Sequence, residues 1–173
     1  MRRYRLIAVG VPLILVLALG VSAMASGGSG SFSFGARLRG LEETPAVITN
    51  ATGTFQATPT STGFNYTLTY SGLSSAALFA HIHVGQRNVA GGVVIFLCGG
   101  GGKPSCPVTS GSVSGTISAA DVVSVPAQGI AGGDLTNVLR AIRSGVAYVN
   151  VHSTTSPAGE IRGQIRVEEN DGD

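Results

Sequence analysis

The sequence predicts an all-β fold, an antiparallel Greek-key β-sandwich with one short helix packed against the sheets. Several short segments alternate apolar and polar residues, which is typical of half-buried strands. Turn-forming residues separate these segments, and a single segment carries apolar residues at helical spacing. Many short strands divided by turns favour a two-layer body with antiparallel connections.

The predicted strands follow from the alternation in order along the chain. They cover residues 32–38, 54–57, 64–70, 80–84, 93–97, 113–117, 147–152 and 161–167. The second and third strands should form a hairpin, because residues 58–63 between them are rich in turn formers. Residues 93–97 (VVIFL) are apolar without a break, which predicts a central strand buried on both faces.

The single helical segment lies near residue 140. Its apolar residues are Leu135, Val138, Leu139 and Ile142, at positions i, i+3, i+4 and i+7. Asp134 precedes the segment as an N-cap, and Gly145 follows it as a helix-ending residue. We therefore expect one short helix between them.

The N-terminus predicts export. Residues 1–5 are basic, residues 6–21 are apolar, and Ala23-Met24-Ala25 has the small-residue pattern of a signal-peptidase site. Cleavage after Ala25 would leave a flexible linker over 26–31, a domain over 32–167 and an acidic tail over 168–173. The alternative is an uncleaved membrane anchor, since residues 6–25 are just long enough to span a bilayer. Either way the domain lies outside the cytosol, secreted or in the periplasm or cell envelope.

The charge of the remaining chain excludes one class of partner. After residue 5 the chain carries eight basic and nine acidic residues, scattered along its length. Nucleic-acid binding requires a concentrated positive surface. We therefore expect no nucleic-acid partner, and membrane contact only through an uncleaved N-terminus.

The two cysteines, Cys98 and Cys106, are predicted to form a disulfide. Exported chains favour disulfides, and the glycine-rich segment between the two residues is flexible enough to close. The alternative is a reactive pair, but the spacing is not that of a C-x-x-C motif.

Three histidines are the strongest candidates for chemistry. In the expected strand over 80–84, His81 and His83 point to the same side, about 7 Å apart along the strand. His152 ends another predicted strand, and three imidazoles would converge if the two strands are neighbours. Such a set, with an open fourth position, suits zinc or copper(II). The competing interpretation is structural: the imidazoles hydrogen-bond to loops or backbone carbonyls and fix the edge of the sandwich.

The carboxylates and the remaining motifs indicate little chemistry. Glu42 and Glu43 form a candidate contact loop, although a solvated turn is the simpler interpretation. Glu160 and Arg162 read most simply as a surface or cross-strand ion pair. There is no G-x-S-x-G motif, and no residue is assigned a catalytic or cofactor-binding role.

Several motifs taken together resemble the CHRD (chordin-type) domain family, in its single-domain exported form. The matching stretches occur in the family's order: 38–45 (LRGLEETP), 51–55 (ATGTF), 68–73 (LTYSGL), 80–85 (AHIHVG), 148–153 (YVNVHS) and 159–164 (GEIRGQ). The resemblance implies an extracytoplasmic all-β domain without an assigned enzymatic activity. The sequence departs from the family at Ala46, where a second proline is frequent, and in the segment from Cys98 to Cys106.

A weaker similarity is to copper/zinc superoxide dismutase, another Greek-key sandwich with a His-x-His strand pair. That enzyme uses more histidines than the three of this chain, so dismutase activity is not expected. The leading hypothesis is a non-catalytic secreted or envelope interaction domain that binds a protein or matrix partner. The alternative is a mononuclear copper or zinc protein that uses His81, His83 and His152.

Overall fold

A computed structural model describes residues 31–170. The expected signal over 1–25 and most of the expected linker lie outside this range. The nine strands are β1 (Ser31–Arg39), β2 (Thr52–Pro59), β3 (Gly63–Ser71), β4 (Ala77–Val84), β5 (Gly92–Cys98), β6 (Gly111–Ser118), β7 (Ala147–Ser153), β8 (Ile161–Gln164) and β9 (Arg166–Asn170). The helix α1 covers Leu135–Arg143, and 3-10 turns cover Gly40–Glu42, Ala119–Asp121 and Pro126–Gln128.

The strands form an antiparallel sheet in the order β5-β4-β7-β8-β1-β2-β3-β6, and β9 also pairs with β1. Strands β1, β2 and β3 are a meander, and the chain later returns to place β8 beside β1. The sheet curves until its two ends approach each other. The Tyr66 hydroxyl on β3 donates to the Leu97 carbonyl on β5 at 2.6 Å. The predicted all-β fold class is confirmed.

The core lies inside this curved sheet, and strand alternation determines which residues fill it. In β3, Phe64, Tyr66, Leu68 and Tyr70 are buried while the residues between them are exposed. The expectation of a central β5 is wrong, because β5 lies at one end of the strand order. The segment around Val122 covers part of its outer edge, through a bridge to Ile95 and a hydrogen bond from the Val123 N–H to the Val94 carbonyl.

The helix and the disulfide agree with the sequence. The Asp134 side chain accepts a hydrogen bond from the Asn137 N–H at the start of α1, and Gly145 adopts a left-handed φ of 70° just beyond its end. Cys98 and Cys106 are bonded to each other, with Cα atoms 5.1 Å apart. No helix among residues 31–170 is long and apolar enough to cross a membrane.

The C-terminal strand differs from the prediction. Ile165 interrupts it, because its side chain is fully buried and its N–H donates to the Ala147 carbonyl. The second part, β9, continues to Asn170, although the sequence predicts an acidic tail from residue 168. Glu168 and Glu169 pair in register with Ser33 and Phe32 of β1. The sheet extends beyond residue 167 because the first half of β1 offers it a partner, and residues 171–173 lie outside the described range.

A buried histidine face as the candidate functional site

The three histidines lie together on the outward side of β4 and β7. His81 and His83 alternate on β4, and the antiparallel register places Asn150 opposite His81 and Tyr148 opposite His83. His152 follows on β7, opposite Phe79. One nitrogen from each of the three imidazoles lies within 4.8 Å of the others. We call this surface, with Tyr148 and Asn150, the histidine face.

Although the histidine face points away from the core, it is covered. The three histidines and Asn150 are all buried. The His81 ring packs against Phe79 and Phe96, with centroids 5.6 and 4.5 Å away. The His83 ring stacks on Tyr148 at 4.7 Å, and the Arg162 guanidinium lies 3.4 Å from the centre of the same tyrosine ring. The outward side of this part of the sheet therefore forms a second, polar interior.

Hydrogen bonds to carbonyls determine where the ring protons lie. His152 Nδ1 is 3.0 Å from the Pro157 carbonyl and His83 Nδ1 is 2.9 Å from the Gly91 carbonyl, so both Nδ1 atoms donate. The Nε2 atom of neutral His152 then carries a lone pair. It accepts a hydrogen bond from His81 Nδ1 at 3.1 Å, and the Asn150 side-chain amide lies 3.0 Å away and satisfies it only with its NH2 group turned toward the ring. All three rings consequently carry their lone pair on Nε2.

Two of these lone pairs have no partner. Among the described residues, the buried Nε2 atoms of His81 and His83 make no hydrogen bond. Most buried polar atoms in proteins have a hydrogen-bond partner. An unpaired one either destabilises the folded state or binds a ligand.

Burial keeps the three rings neutral. It lowers the pKa of His81 to about 3, and the nearby His152 and His83 act in the same direction. Burial also lowers the pKa of His83 to about 4, against an opposing hydrogen bond to Gly91. The pKa of His152 is lowered for the same reason. The imidazoles are therefore available as neutral donors of electron pairs at neutral pH.

A glutamate from the loop after β1 completes the polar interior. Glu43 is buried, and burial raises its pKa to about 7 even though the Arg162 charge and hydrogen bonds to Thr44 and Asn150 act to lower it. Its Oε1 atom has no hydrogen-bond partner within residues 31–170. The carboxyl fits beside Gly159, where a Cβ would come within 2.4 Å of Oε1.

These positions correct several expectations from the sequence. Glu42 forms an ion pair with Arg87, but Glu43 is not part of a solvated turn. Glu160 and Arg162 are not a surface ion pair: both are buried, and each has other partners. Glu160 accepts hydrogen bonds from Ser74, Thr49 and Ser153. Arg162 donates to the loops that cover it.

The contacts of Arg162 fix two loops, residues 40–50 and 85–91, which we call the loop pair. Its guanidinium donates to the Gln86 carbonyl at 2.9 Å and to the Val89 carbonyl at 3.1 Å. It also donates to the Thr44 hydroxyl at 3.3 Å. The sequence predicts a surface or cross-strand ion pair for Arg162 and not this role, because no local signal shows that loops cover the residue.

The fold, the disulfide and the covered polar face define a small all-β domain with a second interior between sheet and loops. A family model described as the CHRD domain matches residues 34–165. The match covers most of the chain, which therefore belongs to the CHRD domain family. No curated protein and no solved structure matches the chain.

Proposed function

We propose that the chain is a non-catalytic binding module that acts outside the cytosol and contacts a protein or matrix partner through the loop pair. Membership of the CHRD family favours a binding role. The Cys98–Cys106 disulfide favours an oxidising compartment, secreted or periplasmic. The basic and apolar N-terminal residues fit the same route.

The observation that carries the proposal is apolar exposure on a loop pair that is held in place. Leu41, Ile48 and Val89 expose 69%, 88% and 47% of their surface. Arg162 ties both loops to β8, and the Arg87–Glu42 ion pair joins them to each other. The Val47 N–H also donates to the Gly40 carbonyl at 2.9 Å. Loops fixed before binding lose little conformational entropy when a partner arrives, which favours affinity.

The proposal is tested with the mature chain, fluorescently labelled, on the envelope of the cells that export it. We expect saturable binding that the double variant Leu41→Asp, Ile48→Asp abolishes. The matched control is Thr60→Asp, Thr62→Asp, which adds the same charge at exposed positions in the turn between β2 and β3, at the end of β2 that is distant from the loop after β1. Equal binding by the double variant and the control would contradict the proposal.

A second candidate function, a mononuclear zinc or copper(II) site, is favoured by the unpaired Nε2 atoms of His81 and His83. Each of His83 and His152 already donates its Nδ1–H to a backbone carbonyl, as metal-bound histidines usually do. His81 is the exception, because its Nδ1–H donates to His152 Nε2. Binding through all three rings therefore requires this hydrogen bond to break.

The metal site is tested by titrating zinc(II), and separately copper(II), into chelator-treated protein at neutral pH. We expect one ion per chain and a rise in Tm, both lost in His83→Gln. Glu169→Gln, on the exposed surface of β9, is the control and should bind as the unmodified chain does. Near-ultraviolet circular dichroism confirms that the variants are folded. A folded chain that binds neither ion would exclude this function.

A further inference from the structure

A cleft on the outer surface of β1 and β9 concentrates positive charge. It has a volume of about 420 Å³, and four of its lining residues are arginines: Arg37, Arg39, Arg87 and Arg166. They are half of the eight basic residues that follow residue 5 in the sequence. Two carboxylates, Glu42 and Glu168, also line the cleft. We call it the arginine cleft.

Three of the four guanidiniums are free to bind a ligand. Arg87 pairs with Glu42. In the part of the chain that the structure describes, Arg37, Arg39 and Arg166 form no ion pair within 4.0 Å. The Glu168 carboxylate lies over Gly35, where a Cβ would come within 2.2 Å of its oxygen. The cleft therefore keeps a net positive charge on a domain that is otherwise close to neutral.

The strand register arranges these three arginines in a row. Arg37 and Arg39 alternate on the outward side of β1, and Arg166 lies opposite Gly35 on β9. At the usual strand rise, the row from residue 39 to residue 35 is about 13 Å long. A single small oxyanion contacts only part of such a row. A chain that carries oxyanions at intervals can contact all of it.

The surroundings of the row favour a ligand recognised by its charges. β1 is paired with β2 on one side and with β8 and β9 on the other, so the arginine row lies on a sheet face and not along a strand edge. A bound peptide gains much of its affinity from hydrogen bonds to such an edge. Guanidinium groups instead bind carboxylate and sulfate groups through two parallel hydrogen bonds.

We propose that the arginine cleft binds an acidic polysaccharide through its carboxylate or sulfate groups. The inference rests on the proposed binding role and assigns a ligand class to a surface beside the loop pair. Arg87 and Glu42 lie in the loop pair and also line the cleft, so the two surfaces are continuous.

The test measures binding of the mature chain to heparin, which is sulfated, and to polygalacturonate, which is carboxylated. Neutral dextran and poly-L-glutamate are the comparison polymers. We expect binding to at least one acidic polysaccharide and none to dextran, with weaker affinity as salt rises, because salt screens exposed charges. The double variant Arg37→Gln, Arg166→Gln should weaken binding by about tenfold or more, since it removes two charge-assisted contacts.

The matched control is Arg140→Gln, Arg143→Gln, which removes the same charge from exposed positions on α1. It should change the affinity by less than about twofold if the cleft is the site. An equal loss in both double variants, binding to poly-L-glutamate alone, or no binding to either polysaccharide would overturn the inference. These outcomes do not contradict the proposal that the loop pair is the binding surface, as long as Leu41→Asp, Ile48→Asp still abolishes binding to the envelope.

Discussion

Two buried carboxyl groups, Glu43 and Glu160, lie close together in the chain's polar interior and behave in opposite ways. The Glu160 carboxylate accepts hydrogen bonds from the Ser74 N–H and hydroxyl at 2.8 and 2.9 Å and from Thr49 at 3.0 Å. Burial raises its pKa, but hydrogen bonds from Ser153, Ser74 and Thr49 outweigh burial and lower the pKa overall. Glu43 approaches the neighbouring Gly159 with an unpaired oxygen and a raised pKa.

The difference shows that the number of hydrogen-bond donors around a buried carboxyl, and not how deeply it is buried, decides its role. Glu160 joins the turn after β3 to the turn before β8, so its hydrogen bonds stabilise the fold. Glu43 belongs to the loop pair, and among the described residues its Oε1 atom lacks a hydrogen-bond partner, as do His81 Nε2 and His83 Nε2. The loop pair therefore combines a buried carboxyl with an unpaired oxygen and exposed apolar side chains, whereas both carboxyl oxygens of Glu160 accept hydrogen bonds. We take the first combination as typical of a binding region and the second as typical of a structural one.

The largest expected effect is on stability, when the Glu160 carboxyl is removed. Glu160→Ala leaves the Ser74 N–H and several hydroxyls without an acceptor and should reduce the free energy of unfolding by about 3 kcal/mol or more. Urea unfolding at neutral pH measures the loss. Glu42→Ala is the control, because its ion pair with Arg87 is partly exposed and should contribute less than about 1 kcal/mol. Similar losses of unfolding free energy in the two variants would show that Glu160 is not a special structural residue.

The sequence predicts one side of this comparison better than the other. The two-residue period of a strand correctly placed His81 and His83 on one face. It could not show that β7, about seventy residues later, lies beside β4, because neighbouring strands depend on the whole topology. The burial of Glu43 escapes prediction for a related reason: its neighbours Arg162 and Gly159 are remote in sequence.

The next effect is a loss of stability at acidic pH that is caused by the histidine face. The folded pKa of His81, about 3, is below the ordinary value of 6.5. Below about pH 6.5 the His81 imidazole is therefore protonated in the unfolded chain but stays neutral in the folded chain. The free energy of unfolding consequently falls as the pH falls. Between about pH 7 and about pH 5 this costs about 2 kcal/mol for His81. His81→Asn should remove that share of the acid loss, as urea unfolding at both pH values would measure. An unchanged pH dependence would mean that the imidazole titrates normally.

The third effect has the opposite sign. The folded pKa of Glu43, about 7, is above the ordinary value of 4.5, so its contribution to stability is present at low pH and is lost as the pH rises toward 7. Glu43→Gln should therefore stabilise the chain by about 2.5 kcal/mol more at about pH 8 than at about pH 5. Thermal unfolding at the two pH values measures the difference. Destabilisation at pH 8 would show that the ionised carboxylate is needed.

The most direct test of the loop pair as the binding surface is site-specific photo-crosslinking on the native envelope. A photoreactive amino acid replaces Ile48 in one chain and Thr62 in another, so that an exposed position in the loop pair is compared with an exposed position in the turn between β2 and β3. A discrete crosslinked partner at position 48 and none at position 62 is the predicted result. Crosslinks to the same partner at position 62 alone, or at neither position despite saturable binding, would place the binding surface elsewhere.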